Sequence, residues 1–169
     1  MSLTHKQIDV LMKPIAASRV SVQDGQSHVE AWDIRAHLSR VFGFGEWSCD
    51  LLDATLIHDY ETTTKAGKPA RKVAYRAIVR LTIHDTGATY TEAAVGESLM
   101  PDFKHGDAHD MAVKTAESQA MKRCAVNLGT QFGLSLYDNA RTDDVVRMLV
   151  EDPRDDDTGT WATTSGDKP

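Results

Sequence analysis

An α+β domain, with an antiparallel β-meander of three or four strands packed against a long helix, is the fold that this 169-residue sequence predicts. Three observations lead there. Val73, Tyr75, Ala77, Val79, Leu81 and Ile83 recur at every second position, the signature of a half-buried strand. Candidate strands on either side are joined to it by the turn-prone segments TTTKAGKPA and HDTGAT, which suit hairpins and are too short for crossover helices. From Ala108 to Gly129, the residues Met111, Ala112, Ala116, Ala120, Met121, Cys124, Ala125 and Leu128 fall at helical spacing, an apolar stripe able to cover one face of a sheet.

In chain order, the spacing predicts a first short helix over Thr4 to Met12, with Thr4 as its cap and Pro14 discouraging its continuation. The segment QDGQS reads as a turn. A second helix from Asp33 to Val41 places Ile34, Leu38 and Val41 on one face, and Gly43 and Gly45 end it. Phe42 and Trp47 are expected to anchor the junction into the sheet. An imperfect strand covers Trp47 to Tyr60, the clear strand follows, and a third spans Thr89 to Val95. Tyr75 and Tyr90 read as cross-strand packing residues. GESLMPDFKHGDAHDM is a loop by composition, and a further short helix is expected over Arg141 to Val150. The organisation is then an N-terminal helical segment (1–17), one globular domain (18–150) and an acidic, flexible tail (151–169).

The formal net charge is −6, which disfavours a uniformly basic nucleic-acid binder. The tail distorts that figure: residues 151–169 contribute −4 and leave −2 for the rest, so a local basic groove is compatible with the total. Apolar runs are interrupted far short of the roughly 20 residues a bilayer span requires, and the N-terminus has no evident export signal, so a cytosolic location is expected. Cys49 and Cys124 lack the partners of a disulfide framework or a zinc site. His105 and His109 sit in KHGDAHD without the HExxH arrangement, and Asp50, Asp53, Asp59 and Asp85 show no paired spacing that would organise a nuclease metal. VFGFGEW and TTTKAGKPA each carry only fragments of phosphate-loop motifs. No catalytic residue and no cofactor is assigned.

The distributed basic residues leave two readings open. Lys65 and Lys68 decorate a hairpin loop, Arg71 and Lys72 enter the central strand, and Arg76 and Arg80 share one of its faces. Lys114, Lys122 and Arg123 lie on the long helix, the last two adjacent in ESQAMKRCAVNLGTQFGL. Together they can track a phosphate backbone, or they can form a solvated face laced with ion pairs. Phe42, Phe44 and Trp47 likewise read as packing residues before base-stacking ones.

The ordered series SRVSVQDGQSHVEAWDIRAHLSRVFGFGEW, KVAYRAIVRLTIHDTGATYTEAAVGES and AVKTAESQAMKRCAVNLGTQFGLSLY resembles the N-terminal annealing domain of the Rad52/Rad22 family over Ser18 to Asn139. The order carries the resemblance: a basic residue ahead of a helix, FG and a Trp at its exit, a meander, then a long helix with KR. It implies a protein that binds single-stranded DNA, assembles into a homo-oligomeric ring and anneals complementary strands without ATP in recombination or repair. By motif position it implies DNA contacts for Lys122 and Arg123, for Arg19 in the early SR feature, and for Lys114. The basic pattern adds Lys65, Lys68, Arg71, Lys72, Arg76 and Arg80 as DNA-binding candidates. A His-Arg feature of the family is replaced here by Trp32 and Asp33, and a later basic position by Val126. The resemblance points to a compact bacterial or phage member, associated with DNA in the cytoplasm, with a single-strand-binding protein or an exonuclease as candidate partner. A passive single-strand protector, a metal-dependent nuclease and an oligomerisation module with no DNA role are the competing readings.

Overall fold

The computed structural model describes residues 3–101, 105–147 and 149. Helix α1 (His5–Leu11) begins at a reciprocal cap: the Thr4 hydroxyl accepts from the Gln7 backbone N–H, and the Gln7 side chain accepts from the Thr4 N–H at 2.8 Å. Next come two short strands, where the sequence predicts only a turn. β1 (Val20–Gln23) and β2 (Gln26–Val29) pair antiparallel around Asp24 and Gly25, whose φ angles of 51° and 77° belong to the two-residue hairpin turn favoured by Asp-Gly.

Helix α2 (Ala31–Phe42) starts two residues earlier than expected and buries Ile34, Leu38 and Phe42. Strands β3 (Trp47–Thr63), β4 (Pro69–Ile83) and β5 (Ala88–Pro101) then form a three-stranded antiparallel meander in sequential order. The expected junction holds: Phe42 is buried, and the Trp47 indole donates to the Ser39 hydroxyl at 3.2 Å, while Phe44 is exposed. β5 is longer than expected. Gly96 to Pro101, read as loop, continues the ladder because Ala70 to Tyr75 of β4 offers it partners. β3 carries two register shifts, at Leu52 and Ile57, which leave both side chains exposed.

Helix α3 (His105–Val126) lies across β4 and β5. Its small residues Ala108, Ala112, Ala116 and Ala120 are wholly buried, and Met121, Cys124 and Ala125 join Val79, Leu81 and Ile83 in the main core. Met111, expected in that stripe, is instead 45% exposed, and Ala108 occupies the sheet-facing row. Burial of each large aliphatic side chain here is worth about 1.5–3 kcal/mol. Tyr75 turns to α3, where its hydroxyl meets His109 Nδ1 at 3.0 Å; Tyr90 packs against the core.

The helix stops at Val126 and tightens into i→i+3 bonds that end at Gly129, with φ 105°. Two 3-10 turns follow, Thr130–Phe132 and Leu134–Tyr137. The helix expected over Arg141 to Val150 is not formed at residues 141–147; positions 148 and 150 and the acidic tail lie outside the described residues. Side-chain bonds claim the backbone there: Asp144 Oδ1 accepts from the Thr130 hydroxyl at 3.0 Å and from the Val146 N–H at 3.1 Å. Ile15 donates to the Thr142 carbonyl at 3.1 Å, tying the N-terminal segment to the same region.

Because side chains alternate along β4, the residues of its ladder divide cleanly. Val73, Ala77, Val79, Leu81 and Ile83 face α3, and Lys72, Arg76 and Arg80 face the other way, onto a sheet surface that no element among the described residues covers. Val95 and Leu99 of β5 are exposed on that same surface.

Candidate nucleic-acid interface

The β1–β2 hairpin stands opposite the C-terminal half of α3, and the 3-10 turns close the space between them from below. The resulting open groove has a volume of about 890 Å³. Lys122 and Arg123 form one wall together with Gln119; Gln23, Gln26 and His28 of the hairpin form the other; Val29, Ile34 and Phe132 make an apolar floor. A shallower extension runs along α3 past Gln119 to Lys114.

Lys122 is half-buried at this wall. Burial lowers the pKa of its ammonium, and Glu30, at the start of α2, acts in the opposite direction. Arg123 is 55% exposed and donates from Nε and Nη2 to Glu92 Oε2 of β5 at 3.3 and 3.2 Å. An exposed pair of this kind costs little to exchange for a phosphate, since its net worth is at most about 1 kcal/mol. Lys114 pairs with Asp110 one turn earlier at 2.6 Å and is more exposed still.

The structure distributes the remaining sequence candidates differently. Arg19 is turned inward, where Nη2 lies 2.7 Å from Asp33 Oδ2. Arg71 is mostly buried, with Nε 2.6 Å from Asp59 Oδ1. Lys72 pairs with Glu97 at 3.0 Å and Arg76 with Asp53 at 3.4 Å, both on the uncovered sheet surface. Arg80 is exposed there, opposite Asp50 in the ladder. Lys65 and Lys68 are exposed in the β3–β4 loop, at the end of the sheet beyond Ala70 and away from the groove. The groove therefore gathers Lys122, Arg123 and, in its extension, Lys114, and leaves the other seven elsewhere.

Other groove residues went unrecognised in the sequence. Gln23, Gln26 and His28 depend on the hairpin, which Asp24-Gly25 flanked by Val20, Val22 and Val29 does signal. Tyr137 is 73% exposed at the groove margin. Its position follows from the 3-10 turns, which leave no periodicity to read. Among the described residues, no group of three or more His, Cys, Asp or Glu side chains is placed to hold a metal ion. Nor is any helix among them long and apolar enough to cross a membrane.

Residues 3–154 match the Rad52/22 family of double-strand break repair proteins, which is most of the chain. The chain belongs to the Rad52/Rad22 family. Its fold, the meander packed on a long helix, is that of a Rad52-like annealing domain. The chain is similar to the DNA repair and recombination protein rti1 of Schizosaccharomyces pombe, with 30% identity over 146 residues, covering 85% of this chain and 38% of the relative. It is also similar to the DNA repair and recombination protein RAD52 of Eremothecium gossypii, with 24% identity over 138 residues, covering 82% of this chain and 30% of the relative. The chain thus spans about a third of the length of these curated relatives.

Proposed function

We propose that this Rad52-family chain binds single-stranded DNA in the groove and promotes ATP-independent annealing of complementary strands in recombination or repair. The observation that carries the reading is the adjacent pair Lys122 and Arg123 on α3, lining one wall of an open groove. Cationic side chains along one wall neutralise phosphates and release counterions, a gain independent of base sequence. A strand held by its backbone keeps its base edges available, and Watson–Crick pairing with a second strand then supplies the specificity. Such a step needs positioning of two strands and no bond-making residue.

Self-association into a ring belongs to the same proposal. One groove with three cations binds modestly, and copies side by side raise the effective concentration of sites along one strand. The uncovered sheet surface, with Val95 56% and Leu99 45% exposed, is the apolar area available for a neighbouring copy. The wider setting is proposed from the family as well: DNA-associated in a bacterial or phage-infected cell, with a single-strand-binding protein or an exonuclease as partner.

An annealing assay on complementary oligonucleotides, run beside a size measurement, tests the reading. Wild type accelerates duplex formation, and the double variant Lys122→Ala/Arg123→Ala loses that acceleration at unchanged assembly size. Binding without acceleration would make the protein a passive protector. Time-dependent shortening of labelled DNA with magnesium or manganese would make it a nuclease.

A further inference from the structure

We propose that Arg19 is a positioning residue, locking the floor of the groove through Asp33 and Gln131 and making no contact with DNA. The inference rests on the groove being the single-strand site. Arg19 ends the 3-10 turn Ala17–Arg19 that leads into β1, and its side chain is only 14% exposed. Its guanidinium is engaged on both edges. Nε donates to Asp33 Oδ2 at 2.9 Å, Nη2 lies 2.7 Å from the same oxygen as an ion pair, and Nη1 donates to Gln131 Oε1 at 2.9 Å. Gln131 is in turn anchored from its other end, where Nε2 donates to the carbonyls of Lys13 and Pro14 at 2.8 and 2.7 Å.

One planar cation thereby joins three segments distant in sequence: the lead into the hairpin, the first turn of α2 and the 3-10 turn after α3. Each supplies a groove residue at or beside the joint. Ile34 follows Asp33, Phe132 follows Gln131, and the hairpin begins one residue after Arg19. The fork geometry suits Arg and not Lys, whose ammonium cannot hold an acid and an amide in one plane. Asp33 is itself buried, with a side chain 8% exposed, so moving Arg19 to a phosphate would strand a carboxylate in the interior. With its charge cancelled by Asp33, Arg19 also adds little to the potential that a strand meets. Asp33, buried in the first turn of α2, is what holds Arg19 inward in this chain.

The test uses the full chain and oligo(dT), with affinity measured across a range of salt, and amide hydrogen exchange of residues 130–134 measured without DNA. Arg19→Lys and Asp33→Asn are each expected to speed exchange in that segment and lower affinity by about tenfold, as loss of a buried partner implies. The slope of log affinity against log salt is expected to stay that of wild type, whereas a lost phosphate contact lowers it by about 0.7 for a single strand. The reversed pair Arg19→Asp/Asp33→Arg is expected to recover protection and affinity. Tighter binding by Asp33→Asn, or a reduced slope with unchanged exchange in Arg19→Lys, would overturn the proposal. If wild type fails to bind oligo(dT), the reading of the groove falls, while unchanged exchange in both single variants would still refute the latch.

Discussion

Gly96 of β5 lies against the backbone of α3 at Ala116, with no room for a side chain between them. A β-carbon at Gly96 would come within 2.8 Å of the Ala116 Cα and 2.5 Å of the Ala112 carbonyl oxygen. Both neighbours are main chain inside a helix, so neither can swing aside. Gly96→Ala is expected to destabilise the fold by at least about 1–3 kcal/mol, the ordinary cost of overpacking. Urea denaturation checks this, and a change at Gly106, where the backbone is not left-handed and an added β-carbon meets nothing within 4 Å, provides the comparison without the clash.

His37 links acidity to the groove floor. Its ring packs edge-on against Phe132 at 5.1 Å, and Nδ1 accepts from Arg40 at 2.9 Å. Burial, reinforced by the charges of Arg19 and Arg40, lowers its pKa from 6.5 to about 4, with Asp33 opposing. Between those values the unfolded chain carries a proton at this position and the folded chain does not, so folding stability falls as pH drops from 6.5 toward 4. From pH 6.5 to about pH 5 this one group accounts for about 2 kcal/mol. His37→Gln is expected to flatten that part of the stability profile, read from denaturant midpoints at stepped pH.

Lys122 predicts an alkaline limit to DNA binding. Its lowered pKa means that it loses its proton before an exposed lysine does as pH rises. Affinity for single strands is expected to fall earlier in wild type than in Lys122→Arg, which stays charged throughout. Folding responds with the opposite sign, because the unfolded chain holds the proton longer and the group's contribution to stability rises with pH over the same window. Titrations and melts at matched ionic strength separate the two effects.

Tyr137, exposed at the groove margin across from Lys122 and Arg123, offers a ring face to a nucleobase. Tyr137→Leu is expected to cost about 1–3 kcal/mol of single-strand affinity, and Tyr137→Phe to retain it. Because stacking is not ionic, the salt slope should not change in either variant. Fluorescence anisotropy with a labelled oligonucleotide provides the measurement.

Elements whose periodicity is local were legible from the chain. The alternation from Val73 to Ile83 and the alanine row of α3 identified the sheet, its central strand and the helix that covers it. What escaped depended on partners remote in sequence. Gly96 to Pro101 reads as loop by composition and is strand because Ala70 to Tyr75 waits beside it. Residues 141–147 looked helical and are held otherwise by Thr130. The site divides along the same line. Lys122 and Arg123 could be placed on the polar side of a helix, but the wall facing them comes from a hairpin whose strands are only four residues each. Charge spacing along β4 could not reveal that Arg71, Lys72 and Arg76 already have carboxylates to answer them.

The two skipped residues of β3, Leu52 and Ile57, do more than expose apolar side chains. Each extra residue lengthens one edge of the meander relative to its neighbour, so the outer strand must curl around the middle one. Deleting Leu52 or Ile57 would remove one of those extra residues and relax the curl of that edge.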